Sequence, residues 1–458
     1  MATAELSRSL KPRHLTMISI GGIIGAGLFV GSSASIAAVG PAIVVSYLIT
    51  GTLILLVMRM LGEMALSLPA VHSFADFPRA GLGPWAGFVT GWLYWYFWMI
   101  VVPVEAIAGA NILHVYIPQL SAGVLGCILM AAMTAVNLMS ARSYGEFEFW
   151  FSSIKVAAII AFIAIAAAYA FGWTSPHGPT FANLTSHGGF MPHGAVAVLA
   201  GAVTVFFQLT GAEIITVAAV ESAEPARAVA QLTSSIIVRI LTFYVGAIFF
   251  IVAIVPWSSI EIGKSPFTHA LMQMHFAWAG RAMDFIVLTA VLSCLNSAFY
   301  VCSRVLFVLA AHGDAPQALI QVNRRKVPVK SVLLCALAGV AGILAATTAP
   351  ERVFAFLLDG AGALMVFVYM IVAISQVRLR RQRERAGGPE PALKMWLFPW
   401  ASYAAIAGMA AVLIAMAFTP SLTEELKVSL ISLAVAVIAY CILRARRQSL
   451  TDARASAD

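Results

Sequence analysis

Gly21-Gly22-Ile23-Ile24-Gly25-Ala26-Gly27-Leu28-Phe29-Val30-Gly31 places five glycines among eleven residues of an otherwise apolar run. Each interior glycine costs a helix about 1 kcal/mol relative to alanine, so a regular helix is not expected to persist through the stretch. Close helix packing is the other reading, because Gly21/Gly25 and Gly27/Gly31 both fit a small-xxx-small pattern. A second stretch decides between them. Phe206-Phe207-Gln208-Leu209-Thr210-Gly211-Ala212-Glu213 sets an amide, a hydroxyl, a glycine and a carboxyl in the middle of another apolar run, five runs further on. Five is odd, so a duplicated five-helix unit would enter a membrane with opposite orientation, and the two interrupted helices would be pseudo-symmetric mates. That is the signature of an inverted-repeat secondary transporter.

Hydrophobic residues make up 61% of the 458-residue chain and charged residues 10%, with a mean hydropathy of +0.92. No water-soluble chain of this size presents such a composition, so lipid must be its solvent. Backbone groups in hydrocarbon must bond internally, and these runs lack the strict alternation of barrel strands, so the class is an all-α membrane protein. Twelve apolar runs fall at about 15–39, 41–66, 85–117, 121–140, 147–172, 194–222, 232–256, 282–311, 331–348, 352–377, 396–419 and 425–443. Residues 15–172 then form a first five-span repeat, 194–377 a second and 396–443 two further spans, between an N-terminal segment 1–14 and a basic tail 444–458. Residues 1–14 are polar and basic without a removable signal, so the first span is retained.

Charge orients the chain. With the N-terminus inside, the inner segments hold Arg8, Lys11, Arg13, Arg79, Arg142, Arg227, the 324–330 and 378–394 clusters and the tail, whereas the outer segments hold only Lys264, Arg281, Arg352 and Lys427. Both termini are therefore expected in the cytoplasm, and the net charge of +8 needs no nucleic-acid partner. The five cysteines stand singly in apolar runs, without metal-ligand spacing, and read as reduced packing residues. Nothing in the sequence fixes an oligomeric state.

Half-helix N-termini offer bare N–H groups to a carboxylate, and unwound carbonyls suit an ammonium, so a zwitterionic amino acid fits both ends of a break. Ionisable groups at mid-membrane each need a reason. Lys155 reads either as a cation whose protonation is linked to transport or as a lysine reaching the cytoplasmic face. Glu105, just after Pro103, reads as a cavity residue or a structural hydrogen-bonding group. Glu213 suits gating or coupling beside the second break, and Asp359 a turn or cap in an Asp-Gly-Ala-Gly stretch. Arg59, Arg239 and Arg304 read as helix-end residues reaching headgroups, and the aromatic tract Trp92–Trp98 as an interfacial belt or lipid-facing surface. No nucleotide-binding loop, nucleophile elbow, zinc pattern or dinucleotide fingerprint is present, so the chain is read as no enzyme, without cofactor, driven by an ion gradient.

The chain resembles the bacterial amino acid permeases of the amino acid, polyamine and organocation superfamily. The likeness runs through Leu10-Lys11-Pro12-Arg13-His14, Gly25 to Ser33, Met58-Arg59-Met60-Leu61-Gly62-Glu63-Met64, Gly91-Trp92-Leu93-Tyr94-Trp95, Tyr144-Gly145-Glu146-Phe147-Glu148-Phe149-Trp150, Gly211-Ala212-Glu213-Ile214, Ser293-Cys294-Leu295-Asn296-Ser297-Ala298 and Met395-Trp396-Leu397-Phe398-Pro399-Trp400. Within the family it is most similar to the γ-aminobutyrate permeases. The resemblance implies ten helices in two inverted repeats plus two, and proton-coupled uptake. It places substrate carboxylate binding at Ile24, Gly25, Ala26 and Gly27, a covering aromatic at Phe207, and Gln208, Thr210 and Gly211 on the second unwound segment. Lys155 matches a lysine that stands in for a sodium ion between spans one, five and eight, and Glu213 an acidic residue linked to gating. Pro103-Val104-Glu105-Ala106 points to γ-aminobutyrate as cargo, while permeases for proline, aromatic, asparagine or basic amino acids share most of the motifs. A proton-independent exchanger and a non-transporting receptor are the competing classes.

Overall fold

The computed structural model describes residues 10–68, 73–221, 224–276, 278–348, 361 and 363–455. Among them there is no β-strand, and the elements are helices throughout. In chain order they are α1 (Pro12–Ile23), α2 (Ser32–Val39), α3 (Ile43–Ser67), α4 (Asp76–Leu82), α5 (Pro84–Tyr116), α6 (Ala122–Met139), α7 (Ala141–Ala170), α8 (Gly194–Leu209), α9 (Ile214–Ala218), α10 (Pro225–Ile254), α11 (Pro266–Gln273), α12 (Ala279–Ala311), α13 (Val329–Thr348), α14 (Leu364–Arg385), α15 (Trp400–Ala417) and α16 (Thr423–Ala455).

Local chemistry explains many of the starts. Pro12, Pro84, Pro225 and Pro266 each open a helix, where a missing N–H costs nothing. The Ser140 hydroxyl accepts the Ser143 N–H at 3.0 Å and caps α7. Among the described residues nine helical stretches are long and apolar enough to cross a membrane. The difference from twelve has three sources. One 55-residue stretch, Arg13–Ser67, runs through the first two sequence runs, the seventh run appears only as the shorter Val238–Ile254, and much of the tenth, with Asp359 and Arg352, lies outside the described residues.

Among the described residues α3, α5 and α12 bury the most side chains, whereas the long α16 buries few. Large apolar residues such as Ile414 and Leu430 stand exposed on the outer helices, as a lipid solvent allows. Cys441 is exposed on α16 as well, unlike the buried packing role read for it from sequence.

Candidate functional site: two broken helices and the charges at their ends

The first span breaks where its glycines crowd. α1 stops at Ile23, Ile24 is extended (φ −82°, ψ 91°), and the chain rewinds through a π-helical turn, Gly27–Gly31, into α2. The run that holds α8 and α9 breaks after Leu209. Thr210 is extended (φ −65°, ψ 139°) and Gly211 takes φ +128°, which L side chains rarely adopt, before α9 begins. The breaks touch, for a Cβ on Gly211 would lie 2.9 Å from the Gly22 carbonyl oxygen.

A helix end carries free carbonyls and partial negative charge, a helix start free N–H groups and partial positive charge. The protein sets a basic and an acidic side chain on the two ends of the first break. Lys155 of α7 is fully buried and donates from Nζ to Gly21 O at 2.7 Å and Ile24 O at 2.5 Å, at the end of α1. Its ammonium thus points into the protein and not to a membrane face. On the other side the Ala26 N–H donates to the Glu105 carboxylate, 3.3 Å from Oε1 and 3.4 Å from Oε2.

The second break is held by side chains from five other helices, α2, α3, α5, α10 and α14. Glu213 accepts the Gly211 N–H at 3.1 Å, the Tyr369 hydroxyl at 2.6 Å and the Tyr94 hydroxyl at 3.2 Å. Gln208 donates to Ser35 Oγ at 2.8 Å and accepts from the Tyr47 hydroxyl. The Thr210 hydroxyl turns back to Phe206 O at 2.7 Å. The Tyr244 hydroxyl of α10 lies 2.9 Å from Ile23 O and 3.1 Å from Gln208 O, bridging both breaks.

Between the breaks lies a cavity of about 20 Å³, lined by Gly22, Gly25, Gly27, Trp98, Glu105 and Phe207 among others. That is room for about one water and not for an amino acid, so the site is contracted in this conformation. Of the residues read from sequence, Gly25, Gly27, Glu105, Phe207, Gln208 and Thr210 meet at this cavity. Ala26 is held by Glu105, Ile24 by Lys155, and Gly211 packs on Gly22, while Lys155 and Glu213 stand behind the lining. A larger cavity of about 740 Å³ lies beside α11, lined by Val30, Asn111, Lys264, His269 and Asp284 among others. On its loop, Lys264 bonded to Glu261 holds that carboxyl below its ordinary range.

Several residues escape a reading of the sequence. Phe97 and Trp98 are buried and line the small cavity, so this end of the aromatic tract is not a lipid-facing belt. Arg304 is also buried, ion-paired with Glu221 at 2.9 Å and stacked 4.0 Å over the Tyr300 ring, so it reaches no headgroup. Glu148, quoted in a motif without a role, is fully buried and accepts from Ser293, from Ser152 at 3.2 Å and from Asn296 at 3.4 Å. For Arg304 and Glu148 the signal was a charged residue in an apolar run, but the decisive partners, Glu221 for the one and Ser293 and Asn296 for the other, lie on other elements.

Comparison with known proteins identifies the family. The amino acid permease family profile matches residues 14–447. The γ-aminobutyric acid permease of Bacillus subtilis (strain 168) is 42% identical, across 97% of this chain and 95% of its own. That of Escherichia coli (strain K12) is 41% identical, across 97% and 96%. With its apolar helices, this multi-pass membrane chain belongs to the amino acid permease family, whose members are transporters and not enzymes.

Proposed function

We propose that the chain imports a small zwitterionic amino acid, γ-aminobutyrate first among them, by proton symport across the bacterial cytoplasmic membrane. The architecture of this proposal is twelve spans with both termini inside. Residues 15–172 and 194–377 form the inverted repeats, and 396–443 add two spans. One observation carries it: an acidic and a basic side chain, Glu105 and Lys155, sit on opposite poles of one broken helix. Near-full-length likeness to proteins named γ-aminobutyric acid permeases supports the cargo.

In this reading the cargo carboxylate takes the Ala26 N–H, Glu105 leaves that N–H for the cargo ammonium, and Phe207 covers the site. The cavity must widen for this, which suits a device that alternates between contracted and open forms. A proton bound beside the break holds α1 through Lys155, and its loss releases α1. No ATP or cofactor enters the scheme.

The test is uptake into proteoliposomes under an imposed pH gradient, with a panel of labelled amino acids. Accumulation of γ-aminobutyrate above equilibrium, abolished by an uncoupler, is expected. Accumulation of a proline, aromatic, asparagine or basic substrate instead would reassign the cargo. If Lys155→Ala leaves gradient-driven accumulation intact, coupling through this lysine is wrong, and counterflow insensitive to any gradient would make the chain an exchanger.

A further inference from the structure

α14 runs without interruption from an apolar stretch into a basic one, and Val377 and Arg378 mark the change. Arg378, Arg381 and Arg385 follow at intervals of three and four residues, so they share one helix face, with Ile374 one turn before them. Opposite stand Tyr403 and Ile406 of α15, and Leu82 of α4 closes one end. Together these residues line a groove of about 580 Å³, within the range of small-ligand sites.

Three features point to one kind of occupant. First, the groove is divided by chemistry: Ile374, Val377, Ile406 and Leu82 supply apolar wall, and the arginines supply cationic wall. Second, the neighbouring carboxylates are engaged elsewhere. Glu384 pairs with Arg380 and Glu390 with Lys394, so Arg378, Arg381 and Arg385 have no ion pair among the described residues. Arg381 rests 5.5 Å over the Tyr403 ring, which orients its guanidinium without neutralising it. Third, Trp400, one turn before Tyr403, is 75% exposed, and such aromatics mark headgroup depth.

We propose that this groove seats an anionic phospholipid of the leaflet that meets the basic loops. Its phosphate lies among Arg378, Arg381 and Arg385, and its acyl chains run along Ile374 and Ile406. Basic pockets between helices at that depth suit such headgroups. The site binds α14 to α15 through lipid at a place where the two helices leave space. It requires only that the chain is embedded in a membrane and is independent of the cargo.

The experiment is native mass spectrometry of the full-length chain in detergent, titrated separately with phosphatidylglycerol and phosphatidylethanolamine. Phosphatidylglycerol is expected to stay bound where phosphatidylethanolamine does not. Removing two arginines at about fivefold each should weaken it roughly 25-fold in Arg381→Gln/Arg385→Gln. Arg324→Gln/Arg325→Gln, in the loop before α13, should leave it unchanged. Ile406→Trp, which fills the apolar floor without touching a charge, should also displace the lipid and guards against misfolding of the arginine variant. Equal retention by wild type and both groove variants overturns the proposal, as does equal binding of the two lipids. Displacement of phosphatidylglycerol by millimolar inorganic phosphate would show a simple anion pocket and would also overturn it.

Discussion

The Glu148 carboxylate of α7 presses so closely on Gly21 of α1 that a Cβ on Gly21 would lie 1.9 Å from Glu148 Oε1 and 2.1 Å from Ser152 Oγ. The Gly21 carbonyl meanwhile accepts Lys155, two helical turns along α7. α7 therefore grips one peptide of α1 from both sides, and the absence of a side chain there permits the grip.

Gly21→Ala should overpack this contact, at a cost of about 1–3 kcal/mol, and slow transport. Gly31→Ala is the matched comparison. Its Cβ would meet nothing nearer than 3.8 Å, so a change within about 1 kcal/mol is expected. Thermal unfolding in detergent and initial counterflow rates measure both, and equal behaviour of the two variants would refute the packing account.

Tyr244→Phe removes one hydroxyl and leaves the Ile23 and Gln208 carbonyls without it, deep in the protein. A buried acceptor stripped of its partner costs about 1–3 kcal/mol. Because these carbonyls flank the two breaks, substrate affinity should fall along with stability. A rise in KM together with a lower unfolding temperature is the expected result; an unchanged KM would place the tyrosine outside the transport machinery.

How far the site was legible in advance depends on how local each cause is. The breaks could be read because glycine cost and a mid-run Thr210-Gly211 pair act within a few residues. Lys155 and Glu213 drew attention because charge in lipid is expensive wherever the helix turns. Glu148, Tyr47, Tyr244 and Arg304 could not be placed, since helix rotation decides whether such a residue faces lipid or protein. Arg304 shows this well: its position near the end of α12 fits a headgroup contact, but its face of the helix turns it onto Glu221. The number of spans differs for other reasons, since a 3-10 turn at Gly40–Ala42 joins the first two runs without a gap and much of the tenth run lies outside the described residues.

Glu148→Gln tests whether the grip on α1 needs charge. Ser152 Oγ lies 2.9 Å from Met17 O and 3.2 Å from Glu148 Oε1, and its single proton serves one of them at a time. Glutamine keeps an acceptor for Ser293 and removes the acid from the carboxyl packed on Gly21. If an ionisable group is needed there, gradient-driven accumulation should fall by at least about tenfold, roughly 1.4 kcal/mol, while the fold is retained. Glu148→Ala strands Ser293 and Asn296 and should also lose stability. If both variants accumulate substrate as the wild type does, Glu148 only fills space.

The buried pair of Glu221 and Arg304 yields the largest expected stability effect. Arg304 Nε and the Tyr300 hydroxyl both donate to Glu221 Oε1 at 2.9 Å, and Tyr300 stacks on Tyr144 at 4.1 Å, tying the segment after α9 to α12 and α7. Desolvating two charges offsets much of their attraction, so the pair itself adds little. Breaking it is another matter, because one charge then stays buried and uncompensated. Arg304→Met should cost about 3–5 kcal/mol, and adding Glu221→Gln to it should recover a large part of that loss. A double-mutant cycle on unfolding in detergent measures the coupling. Additive losses would mean that the two side chains act independently, and the latch between α9 and α12 would then have to rest on Tyr300 alone.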